Sequence, residues 1–573
     1  MILQSDQNSL IEFLISKGEI PSFSFPLDTT MFAAESKSKK RMSHVARYSR
    51  DTKLAISELA PGQLRTVDGK KMKVGGLYFE YSRDKVRRAR EFFETFFSLN
   101  SNKVSMCLND YCGWVSQNKT DDLSDTECPI CRYSSELVRS PNNVRTFRML
   151  KPEGFAPICV PHDGGVARRD MSTGAAKFIR PIFHKQVTKN TSRFSGRARL
   201  PAPDVHDLSC GEPLWEGSSS WNRVSLYMPD DESEGLGIEF VLVNTGPGGD
   251  GFEFCQDCGA SLHPEHIEKV QVRGDTPRHF RPYIVQGKDI ISGTDPDERR
   301  DIHRGCNGVR VPDDQDLPIG LGLRFRTDLV LFRLDMNIDG QQFDWLTPDF
   351  HGSVCAIRDA IQSKLTEKLG LMNREIGAGF RLVVDENEHR FVDIYLYDSV
   401  SGGAGLVSQL REHLFELHEL LDESMIHLEG SSCLEHRPCS RACVGCLLDF
   451  KNRIDHDTIN RPLGWSLFQF LQDGRLPSGN DFGIHNGIRL NRVEKAVRSY
   501  QTFVGEGSDI QQTEDETIRL PNGEEWTLIS PLFPENREEN IMKIDSFEYF
   551  PEIILRQFNL TESYNEVQDI FDL

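Results

Sequence analysis

The sequence predicts an α+β protein made of several domains. Its 573 residues exceed the size that one hydrophobic core usually serves. Eleven of the fourteen cysteines fall into three clusters, and strand-like alternation is mixed with helix-like periodicity. Clustered thiols predict two zinc-ribbon-like β modules and a mixed α/β domain closed by a four-cysteine zinc cluster. The expected units are an N-terminal β-rich module (1–100), a zinc-ribbon-like module (101–150), a basic β connecting region (151–250), a second zinc-ribbon-like module (251–326), an α/β zinc-binding domain (327–465) and an acidic C-terminal region (466–573).

The composition is that of an ordinary soluble protein, with 38% hydrophobic and 27% charged residues. No run of about 18 apolar residues occurs, and the N-terminus lacks the basic and apolar regions of a secretory signal. We therefore expect a cytoplasmic protein with no membrane partner. In a reducing compartment, this many cysteines indicates metal binding rather than disulfides.

The charge is unevenly distributed. A net charge of −20 argues against a uniformly basic nucleic-acid-binding protein. Residues 501–573 hold seventeen acidic and four basic side chains, a balance of −13, so most of the excess lies there. The same segment keeps Trp526, Phe533, Tyr549 and Phe550, which predicts a folded acidic region rather than a disordered tail.

The N-terminal module opens with a short amphipathic helix at 8–17 and an extended segment at 20–26. Residues 37–53 then carry seven basic side chains, among them Lys39, Lys40 and Arg41, and a single acid, Asp51. This basic strip is either a solvated loop or a surface that faces phosphates. Asp68-Gly69, placed between alternating apolar positions, predicts a hairpin.

Four cysteines define the first zinc-ribbon-like module. Cys107, Cys112, Cys128 and Cys131 are separated by gaps of four, fifteen and two residues. Two cysteine-bearing turns on adjacent hairpins would bring the four thiolates around one Zn²⁺.

A basic segment at 176–199 follows, with no acidic residue and with Phe178, Phe183 and Phe194 interleaved. Basic groups beside aromatic rings suit single-stranded nucleic acid, because bases stack while phosphates pair. A charged loop whose phenylalanines belong to the core explains the pattern equally well. The candidate nucleic-acid contacts are Lys177, Arg180, Lys185, Lys189, Arg193, Arg197 and Arg199.

The second ribbon follows a buried strand at 238–243 and begins with Cys255 and Cys258. His303 and Cys306, two residues apart, are the favoured partners, because Cys306 otherwise has no role. His263 and His266 are nearer alternatives that spacing does not exclude. The three remaining cysteines lack a partner at metal spacing and are interpreted as buried small hydrophobes: Cys159, Cys210 and Cys355.

The α/β zinc-binding domain starts with a strand at 327–335 and an amphipathic helix at 354–371. A strand pair at 380–384 and 392–397 leads into a glycine-rich turn, residues 398–405, and a helix that ends near residue 428. The turn could offer backbone N–H groups to a phosphate. Tight packing of the helix on the sheet is the preferred interpretation, since the glycine spacing matches neither a P-loop nor a dinucleotide fingerprint.

The third cluster closes this domain. Four thiols lie within fourteen residues, with gaps of five, three and two. Four sulfurs complete the tetrahedron that Zn²⁺ prefers and leave no open position for water or substrate. The predicted ligands are Cys433, Cys439, Cys443 and Cys446.

Several of these segments, in this order, resemble the C-terminal half of the MrfA-type DEAD/DEAH-box helicases of superfamily 2. They are Phe13 to Gly62, the Thr-Asp-Leu-Val stretch at 327–330, and Tyr397 to Leu406 with the closing cysteines. The resemblance is loose over 1–465 and specific over 395–465. It implies an MrfA-associated zinc-binding domain, like the similar module in the anti-phage DISARM protein DrmB, with the third cluster as its ligands.

The helicase motor itself has no counterpart here. No GxxxxGK[ST] motif occurs, no DExH box follows a strand, and Asp385 to His389 has the wrong spacing. The expectation is a non-enzymatic, DNA-binding accessory subunit that binds three Zn²⁺ and works with a separately encoded DEAD/DEAH-box helicase in phage defence or DNA repair. The DNA is expected to be single-stranded. The alternatives are a zinc-dependent hydrolase or nuclease, and a protein-only scaffold that docks through its acidic region.

Overall fold

A computed structural model of the chain describes most of residues 29–157, 213–263, 306–480 and 511–544, with gaps of up to twelve residues. Short pieces at 202–203, 269–270, 278–279, 484–485 and 488–489, and single residues at 282, 493 and 497, are also described. The predicted helix at 8–17, the basic segment at 176–199, and Tyr549 and Phe550 lie outside the described residues. Among the helices in these ranges, none is both long and apolar enough to cross a membrane.

Five α-helices and two 3-10 helices are described. They are α1 (Thr52–Glu58), α2 (Lys85–Ser98), α3 (Pro348–Lys368), a 3-10 helix (Val407–Glu416), α4 (Leu417–Leu428), α5 (Arg461–Asp473) and a second 3-10 helix (Arg537–Glu539). Helices α3 and α5 begin in the same way: a polar cap, Thr347 or Asn460, accepts a backbone N–H, and proline occupies the first turn. Helix α5 ends at Gly474, whose φ of 78° forms a left-handed cap.

The strands come in three groups along the chain. The first group comprises β1 (Thr29–Ser38), β2 (Arg41–Asp51), β3 (Leu64–Val67), β4 (Lys70–Leu77), β5 (Lys103–Cys107), β6 (Val115–Ser116), β7 (Val144–Leu150) and β8 (Gly154–Pro157). The second comprises β9 (Ala202–Pro203), β10 (Trp215–Glu216), β11 (Val224–Tyr227), β12 (Ile238–Asn244), β13 (Phe254–Cys255), β14 (Lys269–Val270), β15 (Arg278–His279), β16 (Arg310–Val311), β17 (Ile319–Thr327) and β18 (Leu329–Asp335). The third comprises β19 (Ile376–Val384), β20 (Arg390–Asp398), β21 (Ile484–His485), β22 (Ile488–Arg489), β23 (Gln511–Glu514), β24 (Thr517–Arg519), β25 (Glu525–Ile529) and β26 (Ile541–Lys543).

The N-terminal sheet has the order β2-β1-β8-β4-β3. Strands β3 and β4 pair with Val67 opposite Lys70, so the hairpin predicted at Asp68-Gly69 is confirmed. Strand β8 comes from the predicted connecting region and inserts between β1 and β4. This sheet therefore draws on both sides of the expected boundary at residue 150.

A six-stranded sheet, β6-β5-β7-β17-β12-β9, joins still more distant segments. Its central strand β17 pairs in parallel with β7 and antiparallel with β12, which contains the predicted strand at 238–243. Three of the expected units contribute strands to it, and the last residue of β17, Thr327, falls in a fourth. The sheets thus interleave segments that sequence order presents as successive modules.

The α/β zinc-binding domain is built on the sheet β10-β11-β18-β20-β19. Its strand pair β19–β20 and its long helix α3 lie where the sequence predicts them. One face of this sheet and helices α3, α4 and α5 enclose the largest hydrophobic core. Predicted helix 405–428 is divided: a 3-10 segment precedes α4, and His413 within that segment has non-helical dihedral angles.

The acidic C-terminal region forms a four-stranded sheet, β23-β24-β25-β26. Trp526 is buried within it, and Phe533 stacks on Phe343 of the zinc-binding domain with ring centroids 5.1 Å apart. Lys543 Nζ lies 2.9 Å from Asp344 Oδ2. The described part of this region is folded, as predicted, and packs on the rest of the chain.

Candidate metal centres

The first cluster brings Cys107, Cys112, Cys128 and Cys131 together, all buried. Cys107 Sγ lies 3.5 Å from Cys131 Sγ, and Cys112 Sγ lies 3.6 Å from Cys128 Sγ. Four sulfurs at 2.3 Å from a tetrahedral Zn²⁺ would be about 3.8 Å apart, so the spacing fits this ion. Strand β5 ends at Cys107, and the turn closed by Cys112 N–H to Asn109 O carries the second ligand.

This cluster is joined to the zinc-binding domain. Its cysteines are part of the core formed by α3, α4 and α5. The ring of Tyr111, next to Cys112, packs edge-on against the ring of His351 in α3, with centroids 5.5 Å apart. A metal bound here would therefore fasten residues 107–131 to a helix more than 200 positions further along the chain.

The second cluster consists of Cys255, Cys258, His279 and Cys306, all buried. Cys255 Sγ lies 3.7 Å from Cys306 Sγ, and Cys258 Sγ lies 3.2 Å from His279 Nε2. Burial raises the pKa of the Cys258 thiol well above its ordinary value, and the neighbouring thiols raise it further. A metal ion must displace this proton, so zinc affinity at this cluster should rise with pH.

His279 was not identified from the sequence. It lies on β15, and its backbone exchanges two hydrogen bonds with Cys306, of 3.1 and 2.8 Å. This bridge places the imidazole beside the thiols. The favoured partner His303 and the alternative His266 lie outside the described residues, while His263 is described and does not belong to the group. The structure therefore supplies His279 as the fourth donor of the second cluster, a residue that the spacing of cysteines and histidines in the sequence did not indicate.

The third cluster, Cys433, Cys439, Cys443 and Cys446, is half-exposed except for the buried Cys433. Sulfur–sulfur distances along the group are 3.6 Å from Cys433 to Cys439 and 3.7 Å from Cys446 to both Cys439 and Cys443. The hydrogen bond with Cys446 and the Arg461 guanidinium lower the pKa of Cys439 to about 5. This position favours the thiolate that Zn²⁺ requires.

Helices α4 and α5 are tied directly to the third cluster. The Arg461 guanidinium, at the start of α5, donates to Leu428 O at the end of α4 and to Cys439 O. His427 Nε2 lies 2.9 Å from Cys446 O, and burial lowers the pKa of this imidazole, so it is neutral and can donate to the carbonyl. The cluster therefore holds the ends of two core helices together.

A fourth group, His351, Cys355 and Asp455, has possible ligand atoms within 4.8 Å of one another. A cation is already present there, because Arg358 Nη2 lies 3.1 Å from Asp455 Oδ2. Burial also raises the pKa of the Cys355 thiol well above its ordinary value, which favours the neutral form. We interpret this group as a polar network within the core, in agreement with the prediction that Cys355 is a buried small side chain.

In the described part of the glycine-rich turn at 398–405, the N–H groups of Ala404 and Gly405 donate to carboxylates of the chain. The Asp398 carboxylate, at the end of β20, accepts hydrogen bonds of 2.7–3.0 Å from the N–H groups of Ala404, Leu406 and Val407. Gly405 N–H donates to Asp328 Oδ2 at 3.0 Å. Gly403 has a φ of 74°, and a Cβ there would lie 2.4 Å from the same Asp328 oxygen. Carboxylates of the chain already accept these N–H groups, which agrees with the interpretation as a packing turn.

Most of the predicted nucleic-acid contacts lie outside the described residues. The seven basic residues between 177 and 199, together with Lys39 and Lys40, lie outside the described residues. The backbone of Arg41 is described at the start of β2, where it pairs with Ser38. These residues therefore remain predictions.

We expect the purified chain to bind three Zn²⁺ ions. His279→Ala should retain two after brief exposure to a chelator, because its second cluster keeps three ligands and binds metal more weakly. The matched control, His263→Ala, should retain three. Elemental analysis of metal per chain measures this, and three ions in His279→Ala under the same treatment would contradict the assignment.

The helices and sheets make this an α+β protein, and its three sets of four donors are typical of zinc-binding modules. Residues 357–447 match the MrfA Zn-binding domain, so the predicted resemblance is confirmed over these residues. The match covers α3 from Ile357 onward, β19, β20, α4 and all four cysteines of the third cluster.

Two longer proteins are similar to a larger part of the chain. Druantia protein DruE of Escherichia coli (strain UMEA 4076-1) is 25% identical over 486 residues, which are 82% of this chain and 22% of DruE. The chain thus spans about a fifth of the length of this relative. The crystal structure of the DUF1998 helicase MrfA bound to DNA covers 78% of this chain and 33% of that protein, with 9% identity and a TM-score of 0.30.

Proposed function

We propose that this chain is a non-catalytic, zinc-stabilised module that binds single-stranded DNA in the cytoplasm and works with a DEAD/DEAH-box helicase motor in phage defence or DNA repair. The observation that carries the proposal is the MrfA Zn-binding domain at 357–447, in a chain whose three metal clusters each supply four protein donors. Similarity to DruE over most of the chain supports the association with defence.

The geometry of the clusters favours a structural role for the metal. Catalytic zinc usually has three protein ligands and an open position for water or substrate. Each of the three clusters in the described part of the chain has four donors. The second cluster was the candidate for a hydrolase if His303 were not a ligand, and His279 now supplies its fourth donor.

Zinc bound at the three clusters would supply folding energy and join distant segments. The chain's own residues would then present a rigid surface. Arg461 and His427 hold α4 and α5 to the third cluster, and Tyr111 connects the first cluster to α3. In this proposal, basic side chains contact phosphates while the motor hydrolyses ATP.

The test is fluorescence anisotropy with labelled single-stranded and double-stranded oligonucleotides at several salt concentrations, together with an ATPase assay. We expect tighter binding to single strands, weakening as salt rises, because Lys and Arg release counterions from phosphates. We expect no ATP hydrolysis by the isolated chain. Absence of DNA binding would favour the protein-only scaffold, and DNA cleavage would favour the hydrolase.

A further inference from the structure

Three arginines converge on Glu58, the last residue of α1. Arg50 Nε, from β2, lies 3.2 Å from one carboxylate oxygen of Glu58, and Arg453 Nη2 lies 2.8 Å from the other. Arg65 Nε, from β3, donates to the Glu58 backbone carbonyl. Arg453 follows the third cysteine cluster, so this arginine cluster lies where the N-terminal module meets the zinc-binding domain.

The arginine cluster contains more positive than negative charge. Although burial acts to raise it, the hydrogen bond and charge of Arg453 lower the pKa of Glu58, so this carboxylate is ionised at neutral pH. Burial lowers the pKa of Arg65, and the charges of Arg453 and Arg50 act in the same direction. Three like-charged guanidiniums thus lie around one carboxylate, which pairs directly with two of them.

Two charged residues at the start of α1, Asp51 and Lys53, offset each other. Asp51 is adjacent to Arg50, and its carboxylate caps α1 by accepting the Lys53 backbone N–H at 2.7 Å. The Lys53 ammonium adds a further positive charge, although it donates to Ser399 O at 2.7 Å and lies over the Phe325 ring. With these two charges cancelling, the three guanidiniums still outnumber the single Glu58 carboxylate.

Two of the three guanidiniums can be reached from solvent. The side chains of Arg50 and Arg453 are 47% and 36% exposed, whereas that of Glu58 is 6% exposed. The carboxylate therefore lies beneath the arginines and holds their planes from below. Guanidinium groups bind phosphate through paired N–H donors, and a fixed orientation reduces the entropy lost on binding.

We propose that Arg50, Arg65 and Arg453 form a phosphate-binding site for the backbone of a nucleic acid, with Glu58 as the residue that orients them. Arg50 belongs to the basic strip at 37–53, for which a surface that faces phosphates is one of the two interpretations of the sequence. This inference rests on the proposed function, because it names the part of the chain that contacts DNA.

The experiment compares four variants by anisotropy with a labelled single-stranded oligonucleotide of mixed sequence. Arg50→Gln and Arg453→Gln should each weaken binding roughly tenfold and lower the slope of log K against log salt by about 1. Glu58→Gln keeps a side-chain oxygen that can accept a hydrogen bond from one arginine but removes the competing negative charge, so it should strengthen binding a few-fold. Arg519→Gln, which breaks an exposed pair with Glu525 in the acidic region, is the control and should bind as the wild type does.

The changes in DNA affinity of Glu58→Gln and of the arginine variants are expected to have opposite signs, which distinguishes a binding site from a purely structural cluster. If the cluster only joined the two modules, Glu58→Gln and Arg453→Gln would both weaken binding or both leave it unchanged, and the inference would be overturned. Should Arg453→Gln lose zinc, Arg50→Gln decides, because Arg50 contacts none of the metal clusters in the described residues. If the wild type binds the oligonucleotide and Arg50→Gln binds it equally well, only this site is overturned. No binding by any of the proteins overturns the proposed function as well.

Discussion

Replacing Cys446 by serine should abolish zinc binding at the third cluster and unfold the segment around it. The Cys446 sulfur contacts two of the other three sulfurs, and the Cys446 carbonyl accepts a hydrogen bond from the His427 imidazole. Structural zinc sites supply about 10–16 kcal/mol of apparent binding free energy, while whole domains are stable by only about 5–15 kcal/mol. Loss of the ion therefore removes as much free energy as the domain has to spare.

Hydrogen exchange read by mass spectrometry measures the outcome. In Cys446→Ser, amides of α4 and α5 should exchange much faster, and the chain should carry one Zn²⁺ fewer. Cys355→Ala is the matched control: it removes a buried thiol from α3 within the same core but outside the three clusters. It should keep all three ions, and the amides of α4 and α5 should exchange as slowly as they do in the wild type. Unchanged exchange in Cys446→Ser, with one ion missing, would show that the metal does not hold these helices.

Local signals in the sequence were enough to predict many elements. Strand alternation, helical periodicity and the Asp68-Gly69 turn located β18, α3, β19, β20 and the β3–β4 hairpin, because each depends on residues close together in the chain. Closely spaced cysteines likewise identified complete donor sets at the first and third clusters. At these places, local preference and the final fold agree.

Contacts between distant segments could not be predicted in this way. His279 reaches the second cluster because β15 lies against Cys306, and nothing in its own neighbourhood marks it as a ligand. Strand β8 is four residues long, and its place between β1 and β4 is set by pairing across more than 70 positions. Arg453 and Glu58 are 395 residues apart. Periodicity carries no information about such pairs, so the mixed sheets and the arginine cluster became visible only in the structure.

Replacing Arg358 by methionine should destabilise the zinc-binding domain by about 3–5 kcal/mol at pH 7, since it leaves two buried carboxylates without their cation. Arg358 is 2% exposed; its Nε lies 2.7 Å from Asp359 Oδ1, and its Nη2 lies 3.1 Å from Asp455 Oδ2. An exposed pair of the same kind, Arg519 with Glu525, contributes at most about 1 kcal/mol, so Arg519→Met is the control.

The loss should shrink as the pH falls, because the two carboxylates can then take up protons. Burial acts to raise the pKa of Asp455, but the charge of Arg358 outweighs it and holds the pKa below the ordinary value. Ionised Asp455 therefore adds stability above its unfolded pKa of about 4, and this contribution fades below it. Burial raises the pKa of Asp359 even beside Arg358, so ionisation of this carboxyl opposes folding as the pH rises above its unfolded pKa of about 4. Without Arg358, the pKa of both groups should rise, and Arg358→Met should recover part of its lost stability between pH 7 and pH 5.

Native-state hydrogen exchange of α3 amides, corrected for intrinsic exchange rates, gives the free energy of opening at each pH. A difference from wild type that is independent of pH would mean that lost packing, rather than unpaired charge, dominates at this position.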